Sequence, residues 1–124
     1  MKPTARDLLF QDDKTERDAL RLLCSVLIKP ITRVELCRLI DPFQFRGMLN
    51  RAAFEEIAAM GALPSPKLRA ALPARIITRG FPDFDLKEFL GAAQATQREI
   101  EELFESVLKM VQVAQDEDLR GEVV

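Results

Sequence analysis

The chain offers few side chains that transfer protons or attack a substrate near neutral pH. Histidine, tyrosine and tryptophan are absent from its 124 residues. Serine occurs only at Ser25, Ser65 and Ser106, and none of these lies in the G-x-S-x-G turn that exposes a nucleophilic serine. Neither G-x-G-x-x-G nor the G-x-x-x-x-G-K-[ST] phosphate loop occurs. We therefore expect no catalytic residues, no bound cofactor and no enzymatic activity.

Paired acidic residues and two cysteines are the remaining candidates for chemistry. The pairs Glu55-Glu56 and Glu101-Glu102 are adjacent in sequence, so their side chains diverge by about 100° around a helix. We interpret them as exposed helical carboxylates. Cys24 and Cys37 form no C-x-x-C pair and have no histidine to complete a zinc site, so we predict two reduced, buried thiols and no metal site.

The composition is that of one ordinary globular domain, with 48% hydrophobic and 31% charged residues. Arg21 and Ser25 interrupt the longest apolar stretch, which falls short of the ~20 residues that span a bilayer. The N-terminus lacks the apolar run of a signal peptide. We expect a cytoplasmic protein without a membrane segment.

The formal net charge of −2 gives no electrostatic reason to expect nucleic acid as a partner. One segment, between Glu56 and Asp83, is free of acidic residues. Its basic residues are Lys67, Arg69, Arg75 and Arg79. We interpret them as a solvated basic face.

Helix start and stop signals divide the chain, and no segment alternates as a strand does. The first predicted helix is Glu16–Ile28, opened by an Asp13/Glu16 capping box and stopped by Pro30, and a short second helix runs from a Thr32/Glu35 capping box to Ile40. A third helix covers Asn50–Met60 and is capped by Gly61, a short helix follows Ser65-Pro66, and a further helical turn or two covers Pro73–Arg79. The last helix runs from an Asp85/Glu88 capping box to about Asp116 and is interrupted or kinked near Gly91. Phe43 and Phe45 are predicted to insert into the core.

This pattern predicts an all-α fold, a compact multi-helix bundle with a long C-terminal helix or helical hairpin. We expect a flexible arm at residues 1–13, the helical domain at 14–116 and a frayed tail at 117–124.

The last predicted helix carries more apolar surface than a single core contact requires. Ile100, Phe104, Val107, Val111 and Ala114 form one seam, and Leu103, Leu108 and Met110 flank it. Together they fill an arc of about 160°, whereas a surface helix needs about 100° for its own core. Burial between two layers of the domain explains this arc, and so does contact with a partner or a second copy of the chain. On the second interpretation Leu103, Leu108, Met110 and Val113 are the candidate partner-binding residues.

The order of these elements resembles a known module over residues 16–61. An acid-started apolar helix (ERDALRLLCSVLI, residues 16–28) precedes Asp41-Pro42-Phe43-Gln44-Phe45 and then NRAAFEEIAAMG (residues 50–61). The pattern is similar to the N-terminal domain of DnaB-type replicative helicases and to the helicase-binding C-terminal domain of bacterial primases. The resemblance implies a bacterial replication protein that binds a replicative helicase, a primase or another copy of itself.

A helix-turn-helix DNA-binding protein is the alternative. Residues 32–40 and 50–60 would be its two helices, with Arg46 and Arg51 near the recognition element. The connection between them is longer than the usual three- or four-residue turn, and the net charge is slightly acidic.

Overall fold

The computed structural model describes residues 12–91 and 94–122, with side chains described as far as Gln112 except that of Met110. Over these residues the fold is all-α, as predicted. Its helices are α1 (Asp13–Leu23), α2 (Pro30–Leu39), α3 (Met48–Ala59), α4 (Ser65–Thr78), α5 (Leu86–Leu90) and α6 (Gln97–Glu122), with a 3-10 turn at Pro42–Gln44. The arm and tail predicted for residues 1–13 and 117–124 fall largely outside the described side chains and stay predictions.

Helix α1 begins with a capping box one residue before the predicted pair. Asp12 Oδ1 accepts a hydrogen bond from the Thr15 amide at 2.8 Å, and Thr15 Oγ1 accepts one from the Asp12 amide at 3.1 Å. The predicted Asp13/Glu16 box is wrong, because both carboxylates accept hydrogen bonds from Asn50 of α3. Asn50, which is distant in sequence, therefore binds the two carboxylates that local spacing had assigned to the helix cap.

Pro30 begins a helix rather than stopping one. Helix α1 ends at Leu23, five residues before the predicted end at Ile28. Lys29 is extended (φ −71°, ψ 138°), as the residue before a proline usually is, and Pro30 is the first residue of α2. The predicted Thr32/Glu35 capping box is therefore misplaced, and α2 has no side-chain cap.

The Asp41-Pro42 break is confirmed, since the Asp41 carboxylate accepts from the Phe43 amide and opens the 3-10 turn. Phe45 is fully buried and stacks on Phe54 at 4.8 Å between ring centroids. Phe43 is 69% exposed, so its predicted insertion into the core is wrong. The turn directs only one of its two aromatic rings inward.

Helices α3 and α4 pack against each other, and α1 packs across α3. Gly61 has φ 60° and follows the end of α3, in agreement with the predicted cap. Helix α4 continues through Pro73, where a separate helix was predicted. Leu68, Leu72 and Ile76 are fully buried at spacings of four, so one buried face holds the helix together across the proline.

Helix α6 is separated from α5 by Gly91, whose φ of 79° suits glycine and ends α5. A capping box opens α6: Thr96 Oγ1 accepts from the Glu99 amide and Glu99 Oε1 accepts from the Thr96 amide, both at 3.2 Å. The helix packs against α1 and α2. Its Ile100, Leu103 and Val107 complete the hydrophobic core.

Candidate protein-binding surfaces

The four candidate residues on α6 fall into three groups. Leu103 is 8% exposed and belongs to the core, so a partner does not reach it in this arrangement. Leu108 is 45% exposed. Met110 and Val113 have side chains outside the described residues. Among the described side chains, Leu108 is therefore the one candidate partner-binding residue that is exposed.

The position of Leu108 on α6 follows from the helical repeat. Val107 is fully buried and marks the direction of the core. Leu108 lies about 100° to one side of it and Met110 about 60° to the other. The two residues consequently occupy opposite edges of the apolar arc.

A second apolar surface lies in the connection between α1 and α2. The Ile28 amide donates to the Ser25 carbonyl at 3.3 Å and closes a turn, while the Leu27 amide donates to Ser25 Oγ at 3.0 Å. Val26 and Leu27 occupy the two central positions and are 66% and 48% exposed. Glycine, proline, asparagine and aspartate usually occupy such positions. Two aliphatic side chains are thus displayed to solvent by a turn with its own hydrogen bonds.

A cavity of about 490 Å³ opens beside this turn. Val26, Leu27 and Leu90 supply apolar surface, and the charged side chains around it are Arg21, Arg69 and Lys87. Its volume lies within the ~300–1,000 Å³ range of ligand-binding clefts. We call this feature the turn cavity.

The three basic side chains of the turn cavity differ in their partners. Arg21 Nη2 donates to Glu99 Oε2 at 2.7 Å, and this contact is the main reason that the pKa of Glu99 lies below its usual range. Arg69 Nη1 donates to the carbonyl of Cys24 at 3.4 Å, a neutral acceptor. Among the described residues, no carboxylate forms an ion pair with Arg69 or Lys87. Two positive charges therefore stand beside exposed apolar side chains.

Arg75 of α4 and Arg79, which directly follows this helix, pair with acidic residues of α3. Arg75 Nη1 lies 3.0 Å from Glu56 Oε2, and Arg79 Nη2 lies 3.1 Å from Glu55 Oε1. The basic segment and one of the predicted carboxylate pairs thus compensate each other across the α3–α4 contact. Arg69 takes no part in this network.

Both cysteines are free thiols inside or beside the core. Burial raises the pKa of Cys24 to about 12 and that of Cys37 to about 11. Neither thiol is activated as a nucleophile, because the thiolate is the reactive form.

One of the two arginines proposed for DNA recognition, Arg51, is already engaged within the domain. Arg51 Nε donates to the carbonyl of Phe45 at 3.0 Å, and its guanidinium lies 4.9 Å from the centroid of the Phe43 ring. Residues 40–47, including the 3-10 turn, separate α2 from α3. These contacts do not favour the helix-turn-helix interpretation.

Over the described part of the chain, no cluster of three or more histidine, cysteine or acidic residues is arranged to hold a metal ion. No helix there combines the length and the apolar character needed to cross a membrane.

Sequence reasoning missed the turn cavity because it placed Val26 and Leu27 inside a continuous helix. Pro30 forces only Lys29 out of helical geometry. The sequence signal nearest to the turn is Ser25, because a serine hydroxyl can accept from the amide two residues on, as it does from Leu27. Nothing in the sequence indicates that Lys87 lies near this turn. Comparison of the chain with family models, curated proteins and solved structures finds no match.

Proposed function

We propose that this chain is a non-catalytic protein-interaction module of the helicase–primase type, which binds a protein partner or a second copy of itself through apolar side chains of α6. The observation that carries the proposal is Leu108, which is 45% exposed one residue beyond the fully buried Val107. Contiguous exposed apolar patches often mark protein contacts, and the proposal predicts such a patch around Leu108. Met110 and Val113 remain candidate partner-binding residues predicted from sequence, although the helical repeat places them on the other edge of the arc from Leu108.

Substitutions at Leu103 and Leu108 distinguish a loss of folding from a loss of binding on α6. Because its side chain packs in the core, Leu103→Asp is expected to unfold the domain. Leu108 is half exposed, so Leu108→Asp should leave helicity intact while placing a charge on the binding surface. Leu108→Met is the matched control, since methionine retains apolar area and adapts to irregular contacts.

The experiment combines light scattering of the chain alone with titrations of purified bacterial replicative helicase and primase. We expect Leu108→Asp to weaken self-association or partner binding by about tenfold, which corresponds to about 1.4 kcal/mol. Leu108→Met should bind like the unmodified chain, and circular dichroism should be the same for both variants. Binding that is unchanged in Leu108→Asp, or a chain that neither self-associates nor binds either protein, contradicts the proposal.

A further inference from the structure

The turn cavity presents apolar surface on a turn that forms its own hydrogen bonds. Ser25 is 6% exposed, and its carbonyl and hydroxyl oxygens accept hydrogen bonds from Ile28 and Leu27. These bonds hold Val26 and Leu27 outward. A rigid surface loses little conformational entropy when a partner covers it, so more of the contact energy appears as affinity.

The charges of the turn cavity indicate which partner it suits. Arg69 and Lys87 have no ion-paired carboxylate among the described residues, although the whole chain carries a formal charge of −2. A local positive field beside apolar surface attracts carboxylates and disfavours basic segments. The described residues that line the cavity include no aromatic ring on which a nucleic-acid base would stack.

From this arrangement we infer that the turn cavity is a docking site for an acidic, leucine-rich peptide segment of a partner protein. Apolar side chains of the segment pack on the exposed Val26 and Leu27, and its carboxylates face Arg69 and Lys87. Arg21 contributes less to recognition, because Glu99 already holds its guanidinium. This site is separate from the Leu108 surface of α6.

Fluorescence anisotropy of the full chain with a labelled peptide that alternates aspartate and leucine tests this inference. Lys87→Glu is the charge variant, and Lys109→Glu is its matched control because Lys109 is an exposed lysine of α6 that does not line the cavity. Val26→Ser removes apolar surface, and Ile77→Ser is its control on the exposed side of α4. All four positions are exposed, so the variants should keep the fold.

We expect Lys87→Glu to raise the dissociation constant about fivefold and Val26→Ser about threefold, with no change in either control. Added salt should weaken binding, since it screens exposed charges. Leu108→Asp should bind the peptide normally.

Four results overturn the inference. These are no binding of the aspartate–leucine peptide at low salt, equal binding of a lysine–leucine peptide, equal losses in Lys87→Glu and Lys109→Glu, and loss of peptide binding in Leu108→Asp. The last of these would place the peptide on the α6 surface.

Discussion

Arg33 is the largest fully buried side chain of the described core. Its Nη1 donates to Ser65 Oγ at 3.0 Å, and its Nη2 donates to the carbonyls of Gly61, at 3.3 Å, and Leu63. A guanidinium can reach several acceptors at once because its donors form a planar fork. One side chain thereby ties the first turns of α2 to the connection between α3 and α4.

We expect Arg33→Met to lower the free energy of unfolding by about 3 kcal/mol, because the buried Ser65 hydroxyl and two half-buried carbonyls lose their donor. Arg38→Met removes the same type of side chain from an exposed site of the same helix and should change stability by less than about 0.5 kcal/mol. Urea unfolding measures both variants. Equal midpoints would show that the guanidinium contacts do not stabilise the fold.

The position of a helix start depends on which polar side chain forms a hydrogen bond with the free backbone amides of the first turn. Sequence spacing offers T-x-x-E twice, at Thr32 and at Thr96, and we predicted a cap only at the first. The structure forms the box at Thr96, while Thr32 lies inside the first turn of α2 because Pro30 already begins that helix. Proline position therefore decides between two identical local patterns.

Substitutions of Thr96 and Thr32 test which of the two threonines caps a helix. Thr96→Ala should destabilise the domain by about 1 kcal/mol through loss of the cap, which corresponds to about 4 °C in Tm. Thr32→Ala should have little effect, since α2 has no side-chain cap. Calorimetry measures both, and a larger effect at Thr32 would contradict the assignment.

The sequence predicted the all-α class and the burial of Ile100 and Val107 in the seam of α6, because both follow from short-range periodicity. It failed where distant residues meet. Glu16 accepts from the Gly47 amide and Asn50, and Lys87 lines the cavity beside Val26. Such contacts depend on how helices pack, and no local spacing encodes them.

For the whole molecule, two kinds of group set the dependence of stability on pH. The Thr15 amide lowers the pKa of Asp12, and Arg21 lowers that of Glu99, from their usual 3.8 and 4.5. The folded state therefore holds these protons less tightly than the unfolded state. Their contribution is complete above about pH 4.5 and is lost as pH falls through the folded values.

The cysteine thiols affect the stability of the fold at alkaline pH. Cys24 has a folded pKa of about 12 against an ordinary 9.0, so the unfolded chain ionises first as pH rises. We expect urea midpoints to be highest between about pH 5 and pH 8, to fall in acid and to fall again above about pH 9. Glu99→Gln should flatten the acid limb, and Cys24→Ala the alkaline limb. A midpoint independent of pH would contradict these assignments.

Pro73 interrupts the ladder of amide hydrogen bonds in α4. Proline has no amide hydrogen, so the carbonyl of Arg69 lacks its usual partner within the helix. The last turns, Pro73–Thr78, therefore depend on contacts with the rest of the domain, among them the burial of Ile76 in the core. Arg75 and Arg79 also join this end of the helix to α3, so substitutions that remove these ion pairs should increase hydrogen exchange first in the last turns of α4.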